Sequence, residues 1–217
     1  MRILKCHLAN NREGHFVTAY EAVSAPGQVW SCASCGCRMV LHAGSSDDAA
    51  EGLNLHAFLQ QAVDHYPRLA VFRFTVWLPH SETLADNRVL ILRFHTEVWQ
   101  RIGEYSWQRQ QARRHSPPTI LRWIWESAST QDCKMVLLMN LDTLGAVRNE
   151  GALQVMSKLL CEAWLRASEV HCGITDIMSI IVNRSYSETA MMPFHQLKAQ
   201  IRPMVTPVLI ARTGVTC

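Results

Sequence analysis

The order of strand-like and helix-like segments after residue 66 constrains the fold more than any other feature of the sequence. β-Branched and aromatic residues dominate four segments, whereas apolar residues recur at helical spacing in three others. The strand-like segments are 69–78, 119–125, 134–141 and 174–182, and the helical segments are 86–112, 150–170 and 193–201. The resulting order βαββαβα predicts an α+β domain in which helices pack on an antiparallel sheet.

The first 50 residues have a different character. Alternation through 15–20 and a turn signal at 25–27 indicate a hairpin that leads to Trp30. The polar segment 44–48 is typical of a linker, and the apolar positions within 53–62 fit a short amphipathic helix. We therefore predict two domains, a small cysteine module at 1–50 and an α+β domain at 51–217.

Composition limits the class of protein. Hydrophobic residues make up 48% of the chain and charged residues 18%, which supports a packed core and excludes a disordered chain. The formal net charge of +3 permits a nucleic-acid partner without requiring one. Because charged and polar residues interrupt the first segment before any apolar run reaches signal or membrane length, we expect a soluble, cytoplasmic protein with no membrane partner.

Three of the eight cysteines form a cluster at Cys32, Cys35 and Cys37. In a reducing compartment such a cluster indicates metal ligands rather than disulfides. Zinc takes four ligands in tetrahedral geometry, and the candidates for the fourth are Cys6, His7, His15, His42 and His56. The predicted set is Cys32, Cys35, Cys37 and His42, and the alternative is a hairpin that binds no metal.

Three further cysteines and most tryptophans lie in or beside apolar stretches. Free cysteine behaves as a small hydrophobe, and large aromatic side chains dominate protein cores. We therefore expect buried side chains at Cys133, Cys161, Cys172, Trp77, Trp99, Trp123, Trp125 and Trp164.

A short basic run ends the longest predicted helix. Arg109, Arg113, Arg114 and His115 lie there, with Trp107 close by. These side chains can follow a phosphate backbone with added stacking on the aromatic ring. Alternatively, the cations only interact favourably with the helix dipole and face water. Lys134 completes the predicted nucleic-acid-binding set.

The segment 19–42, with Trp30-Ser31-Cys32 and Cys35-Gly36-Cys37 at its centre, resembles the zinc-ribbon module at the start of competence CoiA-like proteins. The resemblance implies a zinc ribbon that a histidine pair completes after the cysteines. This chain has no such pair in the corresponding place, so the module resembles a truncated one.

Five short segments in the last 150 residues follow one another in an informative order and spacing. They are 66–69 with Arg73, 121–126, 136–140, Ala163-Trp164 with Ala167, and 212–214. Together they resemble the inovirus-type replication protein family, also known as the YagK/YfjJ C-terminal domain. The resemblance implies a rolling-circle initiator (HUH-like) fold and an origin in a prophage or satellite element.

The same resemblance points to lost chemistry. Initiators of this type hold a divalent cation with two histidines at i and i+2 of a strand, and a tyrosine attacks the phosphate. Here Asp132 and Lys134 stand at the histidine positions and Pro203 at the tyrosine position. Charged lysine cannot ligate a metal, and proline carries no nucleophile, so we predict no catalytic residues and no enzymatic activity.

These observations favour a non-catalytic mobile-element protein that binds nucleic acid, DNA rather than RNA, through the basic helix end and the sheet face. Such a pseudoenzyme would regulate replication or expression. The alternative is an effector that binds a host or phage protein in phage defence, counter-defence or inhibition of a host factor. A third hypothesis is a metal-dependent nicking nuclease with rearranged ligands, Asp132 with His171 or His195.

Overall fold

The structure is a computed structural model of the 217-residue chain. It describes residues 3–6, 17–20, 29–31, 38–42, 48–79, 84–126, 131–146, 148–169, 173–184, 188–201, 204 and 207–215.

A seven-stranded antiparallel sheet forms the centre of the molecule. In chain order its strands are β3 (Val29–Ser31), β4 (Arg38–His42), β5 (Arg68–Trp77), β6 (Thr119–Glu126), β7 (Asp132–Asn140), β8 (Ile174–Asn183) and β9 (Pro207–Val215). Their order across the sheet is β3-β4-β9-β6-β7-β5-β8. β1 (Ile3–Cys6) and β2 (Val17–Tyr20) pair with each other in a separate two-stranded sheet.

Five helices accompany the strands in the described part of the chain. They are α1 (Asp48–His65), α2 (Leu84–Gln111), α3 (Leu141–Leu144), α4 (Asn149–Ser168) and α5 (Glu188–Ile201). None of the helices within the described residues is both long and apolar enough to cross a membrane.

The helices cover the two faces of the sheet and create two cores. α2 turns a row of apolar side chains at helical spacing toward one face, where Phe94 meets Trp123 and Trp164 edge to face at centroid distances of 5.9 and 5.4 Å. On the other face, side chains of α1 and α5 such as Leu59 and Leu197 pack over the buried strand residues. The result is a three-layered α+β domain.

The predicted α+β plan, with an antiparallel sheet and packed helices, is confirmed. Seven predicted helices and strands of the second domain occur within a few residues of their expected bounds. The strand β9 was not predicted, since the predicted elements ended with the helical segment at 193–201. Proline is tolerated as the first residue of a strand, and β9 lies between β4 and β6 in the sheet.

Three other expectations are wrong. The segment 15–20 does not form a hairpin with the strand at Trp30, since β2 pairs with β1 and β3 pairs with β4. Trp77 is 49% exposed because it lies at the end of β5, on the face that carries α1 and α5 but outside the core there. Cys161 is exposed because it lies on the outer side of α4, next to the buried Leu160.

The other predicted core positions have mixed outcomes. Trp123, Trp125, Trp164 and Cys133 are buried as expected. Trp99 is partly buried and packs against the core. Cys172 lies outside the described residues.

Candidate nucleic-acid interface

The C-terminal end of α2 closes with two backbone hydrogen bonds typical of a Schellman motif. The N–H of Arg114 donates to the carbonyl of Arg109 at 2.8 Å, and the N–H of Arg113 donates to the carbonyl of Gln110 at 2.9 Å. Arg113 takes a φ of 54°, in the left-handed region that favours glycine at this position of the motif. The motif leaves the side chains of Arg113 and Arg114 exposed.

The Arg109 side chain is held in place by the neighbouring loop. Its Nη2 donates to the carbonyl of His115 at 3.0 Å, and its guanidinium lies 5.9 Å from the centre of the Tyr105 ring. Gly145, with a φ of 62°, leaves the space that the guanidinium fills, because a Cβ there would overlap it. The Tyr105 hydroxyl donates to the carbonyl of Leu144 at 3.0 Å and so fixes the ring.

The loop after α3 contacts both the C-terminal end of α2, through Gly145 and Arg109, and the start of β5, through Ala146 and Arg68. Arg68 there forms an ion pair with Asp142 at 3.0 Å and donates to the carbonyl of Ala146 at 3.4 Å. The backbone N–H of Arg184 donates to the carbonyl of Pro67 at 2.8 Å, beside Arg68. Arg148, three residues after Gly145, is exposed.

Several segments thus bring arginines to one end of the sheet, where β5 starts and β7 ends. We call this surface the basic end, and it consists of Arg68, Arg109, Arg113, Arg114, Arg148 and Arg184. Asp142 offsets part of the charge through its pair with Arg68. Four of the six side chains, those of Arg113, Arg114, Arg148 and Arg184, are exposed, and Nη1 of Arg184 donates to the carbonyl of Asp64 at 2.8 Å.

A shallow groove lies within the basic end. It has a cavity volume of about 210 Å³ and is lined by Tyr105, Gln108, Arg109, Ala112 and Arg114. Trp107 lies outside it. Trp107 is two positions along the chain from both Tyr105 and Arg109, which at about 100° per residue places the 49% exposed indole on the opposite side of α2.

Lys134 is not part of this surface. It lies near the start of β7, six residues before Asn140, so about 20 Å of strand separates it from the basic end. Its Nζ is 3.5 Å from Oε1 of the buried Glu126, with which it forms an ion pair. The predicted binding set is therefore divided between the two ends of the sheet.

Two groups of residues relate to the initiator chemistry, those that the resemblance aligns with the metal ligands and the nucleophile of the initiators, and those proposed as rearranged ligands. Asp132 and Lys134 are exposed and share one face of β7, whereas Cys133 between them is buried. Pro203 and His171 lie outside the described residues, and His195 is exposed on α5. Within the part of the chain that the structure describes, no three histidine, cysteine, aspartate or glutamate side chains lie close enough to hold a metal ion.

The predicted zinc ligands Cys32, Cys35 and Cys37 lie outside the described residues, as does the side chain of His42. The strands on either side of the cysteine segment are described. Ser31 of β3 pairs with Arg38 of β4, so the hairpin encloses the cysteine segment at 32–37, and His42 is the last residue of β4. Zinc binding stays a prediction.

Residues 47–175, more than half of the chain, match the family described as "Uncharacterised conserved protein UCP030791". The chain belongs to this family. The UCP030791 match contains α1 to α4 and all of the basic end except Arg184. Residues 3–51 match a second family, described as "Domain of unknown function (DUF7828)". The predicted domain boundary at residues 50 and 51 stays a prediction.

No curated protein and no solved structure matches the chain significantly. Sequence reasoning found Arg109, Arg113 and Arg114 but missed Arg68, Arg148 and Arg184. These three are isolated cations at the ends of strands or in a loop, and no local pattern in the sequence relates them to α2.

Proposed function

We propose that the protein binds nucleic acid through the basic end. The observation that carries the proposal is the convergence of arginines from separate segments on one surface, with Arg113, Arg114, Arg148 and Arg184 exposed. Arginine side chains that neutralise backbone phosphates release condensed counterions, and this release drives much of protein–nucleic-acid affinity. Such contacts fix the position of the strand without reading its sequence.

The resemblance to the inovirus-type replication proteins supports a narrower form of the proposal. A family of initiators acts on DNA, so we propose DNA rather than RNA as the partner, and a role in regulating replication or expression in a prophage or satellite element. The HUH-like fold is part of this proposal. An antiparallel sheet with helices on both faces is compatible with it.

We further propose that binding occurs without catalysis. The metal-ligand positions of the resemblance carry Asp132 and Lys134, and the lysine is paired with Glu126. A cationic side chain at this point opposes the binding of a divalent cation. Mg²⁺-dependent nicking that Asp132→Asn abolishes would contradict this part and favour rearranged ligands.

Charge reversal at the exposed helix end tests the proposal. We expect the double variant Arg113→Glu/Arg114→Glu to bind single- or double-stranded DNA at least about tenfold more weakly than the wild type at low salt, because it replaces two attractive contacts by repulsion. The measurement is a fluorescence anisotropy titration with labelled oligonucleotides. RNA of the same sequence tests the preference for DNA.

The matched control is Lys158→Glu/Arg166→Glu. Both residues are exposed on α4, and the change in net charge is the same. This control should keep most of the affinity. Equal loss in both double variants would mean that only net charge matters, and no binding by the wild type at low salt would remove the proposal.

A second candidate function rests on a different surface. Trp77 and Met178 are 49% and 43% exposed, and both belong to the part of the sheet next to Arg73 and Lys134. Exposed large apolar side chains mark surfaces where proteins bind. We propose a host or phage protein as the partner of this alternative, as expected for an effector in phage defence, counter-defence or host-factor inhibition.

The two candidates separate in one comparison. If a protein partner uses the sheet, Trp77→Ala should weaken its stoichiometric binding to the purified partner by about 1–2 kcal/mol or more and leave the DNA affinity unchanged. Trp107→Ala, which removes an equally exposed indole from α2, is the control. Equal affinities of both variants for the partner would exclude this surface.

A further inference from the structure

We infer that the groove at the C-terminal end of α2 is a binding site for one phosphate group. The inference rests on the proposed function and deepens it, because it assigns a single site within the basic end. The groove lies between Tyr105, Gln108 and Arg109 on one side of the helix and Arg114 after it. Its ligand would be an oxyanion of a phosphate ester.

Arg109 is fixed before any ligand arrives. The carbonyl of His115 accepts from Nη2, and the guanidinium fills the space beside Gly145. The carbonyl of His115 occupies Nη2, Nε is buried without an acceptor, and Nη1 has no acceptor among the described residues. A guanidinium that is already held in place loses less entropy when it binds an anion.

The charge balance at the groove favours an anion. Arg109 forms no ion pair with a carboxylate in the described part of the chain, and neither does Arg114. The carbonyl end of α2 supplies only a partial negative charge to them. An anion in the groove would therefore meet two cations together with the amide of the exposed Gln108, which can donate to it.

The size of the groove decides between a phosphate and a larger group. Its volume of about 210 Å³ is below the range of about 300–1,000 Å³ that is typical of pockets for drug-sized ligands. A single phosphate group is well within this volume. The same chemistry occurs in free phosphate, in the end of a strand and in the strand backbone.

Two variants test the site without removing an arginine. Gln108→Glu places a carboxylate in the groove, and Gly145→Ala displaces the Arg109 guanidinium without changing the charge. The control Gln131→Glu makes the same charge change at an exposed residue beyond the opposite end of the sheet. Anisotropy titrations of the full chain with 5′-phosphorylated and 5′-hydroxyl oligonucleotides of one sequence measure the effect.

We expect Gln108→Glu and Gly145→Ala each to weaken oligonucleotide binding at least about threefold, and Gln131→Glu to leave it unchanged. A preference for the 5′-phosphorylated strand that both variants abolish assigns the groove to a strand end. Equal affinity of the wild type for both strands, with the same losses in the variants, assigns it to a backbone phosphate. If inorganic phosphate at millimolar concentration competes with the oligonucleotide, and this competition is lost in Gln108→Glu, the groove also binds the free anion.

The inference is overturned if Gln108→Glu and Gly145→Ala bind both strands as the wild type does. That result would leave the proposed function intact, provided that the Arg113→Glu/Arg114→Glu variant still loses its affinity. Because Gln108 is exposed, its replacement keeps the fold, and so a folding defect in Gly145→Ala does not obscure the outcome.

Discussion

At the scale of single residues, His95 on α2 shows how the core constrains a titratable group. Its ring stacks on Trp123 with 4.0 Å between centroids and 14° between planes, and Trp125 meets it edge to face. Its Nε2 is buried without a hydrogen-bond partner. Burial, and then the positive charge of Arg212, hold the pKa of His95 well below its ordinary value of 6.5.

The depressed pKa of His95 predicts how stability depends on pH. The unfolded chain binds a proton at His95 near pH 6.5, whereas the folded chain does so only at much lower pH. The free energy of unfolding should therefore keep its full value above about pH 7.5 and decrease as pH falls through 6.5, by up to about 1.4 kcal/mol per pH unit. Denaturant titrations at pH 7.5 and 5.5 measure it.

His95→Phe should remove this contribution, because phenylalanine keeps the aromatic contacts and does not titrate. His195→Phe, at an exposed position on α5, serves as the control and should keep the wild-type dependence. The assignment is contradicted if the free energy of unfolding of His95→Phe differs between pH 7.5 and 5.5 by as much as that of the wild type.

At the scale of elements, the end of α2 combines backbone strain with exposed charge. Arg113 occupies the left-handed position of the Schellman motif, where glycine has no steric penalty. A non-glycine residue in this conformation costs about 1–2 kcal/mol of stability. Glycine would avoid this cost, but it would lose about 0.5–1 kcal/mol because it has more conformational freedom in the unfolded chain. Arg113 therefore carries a strain that glycine would relieve, while its side chain stays exposed.

Arg113→Gly should therefore raise the free energy of unfolding by about 0.5 kcal/mol and weaken DNA binding at the same time. Denaturant titration and anisotropy measure the two effects. Arg114→Gly, one residue later and without a positive φ, should weaken binding without a gain in stability. A less stable Arg113→Gly, or one that binds DNA as the wild type does, would count against this interpretation.

Local sequence pattern predicts some helices and strands of this fold and misses others. α2 and α4 carry long apolar rows at helical spacing, and β5 and β7 are runs of β-branched and apolar residues, so local pattern defined them. β9 was not among the predicted strands. Its place between β4 and β6 depends on tertiary pairing, which no local pattern encodes.

At the scale of the whole molecule, the sheet separates two kinds of surface. One end gathers the arginines of the basic end, whereas Asp132, Lys134 and Glu126 lie toward the other and partly neutralise one another. The sequence revealed the three arginines at the C-terminal end of α2 because they are close in the chain. Arg68, Arg148 and Arg184 join them only through the loop after α3 and the pairing of β5 with β8. That part of the site is a property of the fold.

The dependence of DNA affinity on salt tests the central claim, binding through the basic end, most directly. For the wild type we predict that log Kd rises linearly with log salt between 50 and 200 mM, with a slope of about 0.9 for each duplex phosphate contacted. Arg113→Glu/Arg114→Glu should reduce this slope by about two. A wild-type affinity that does not change with salt, or an identical slope in the variant, would contradict the claim.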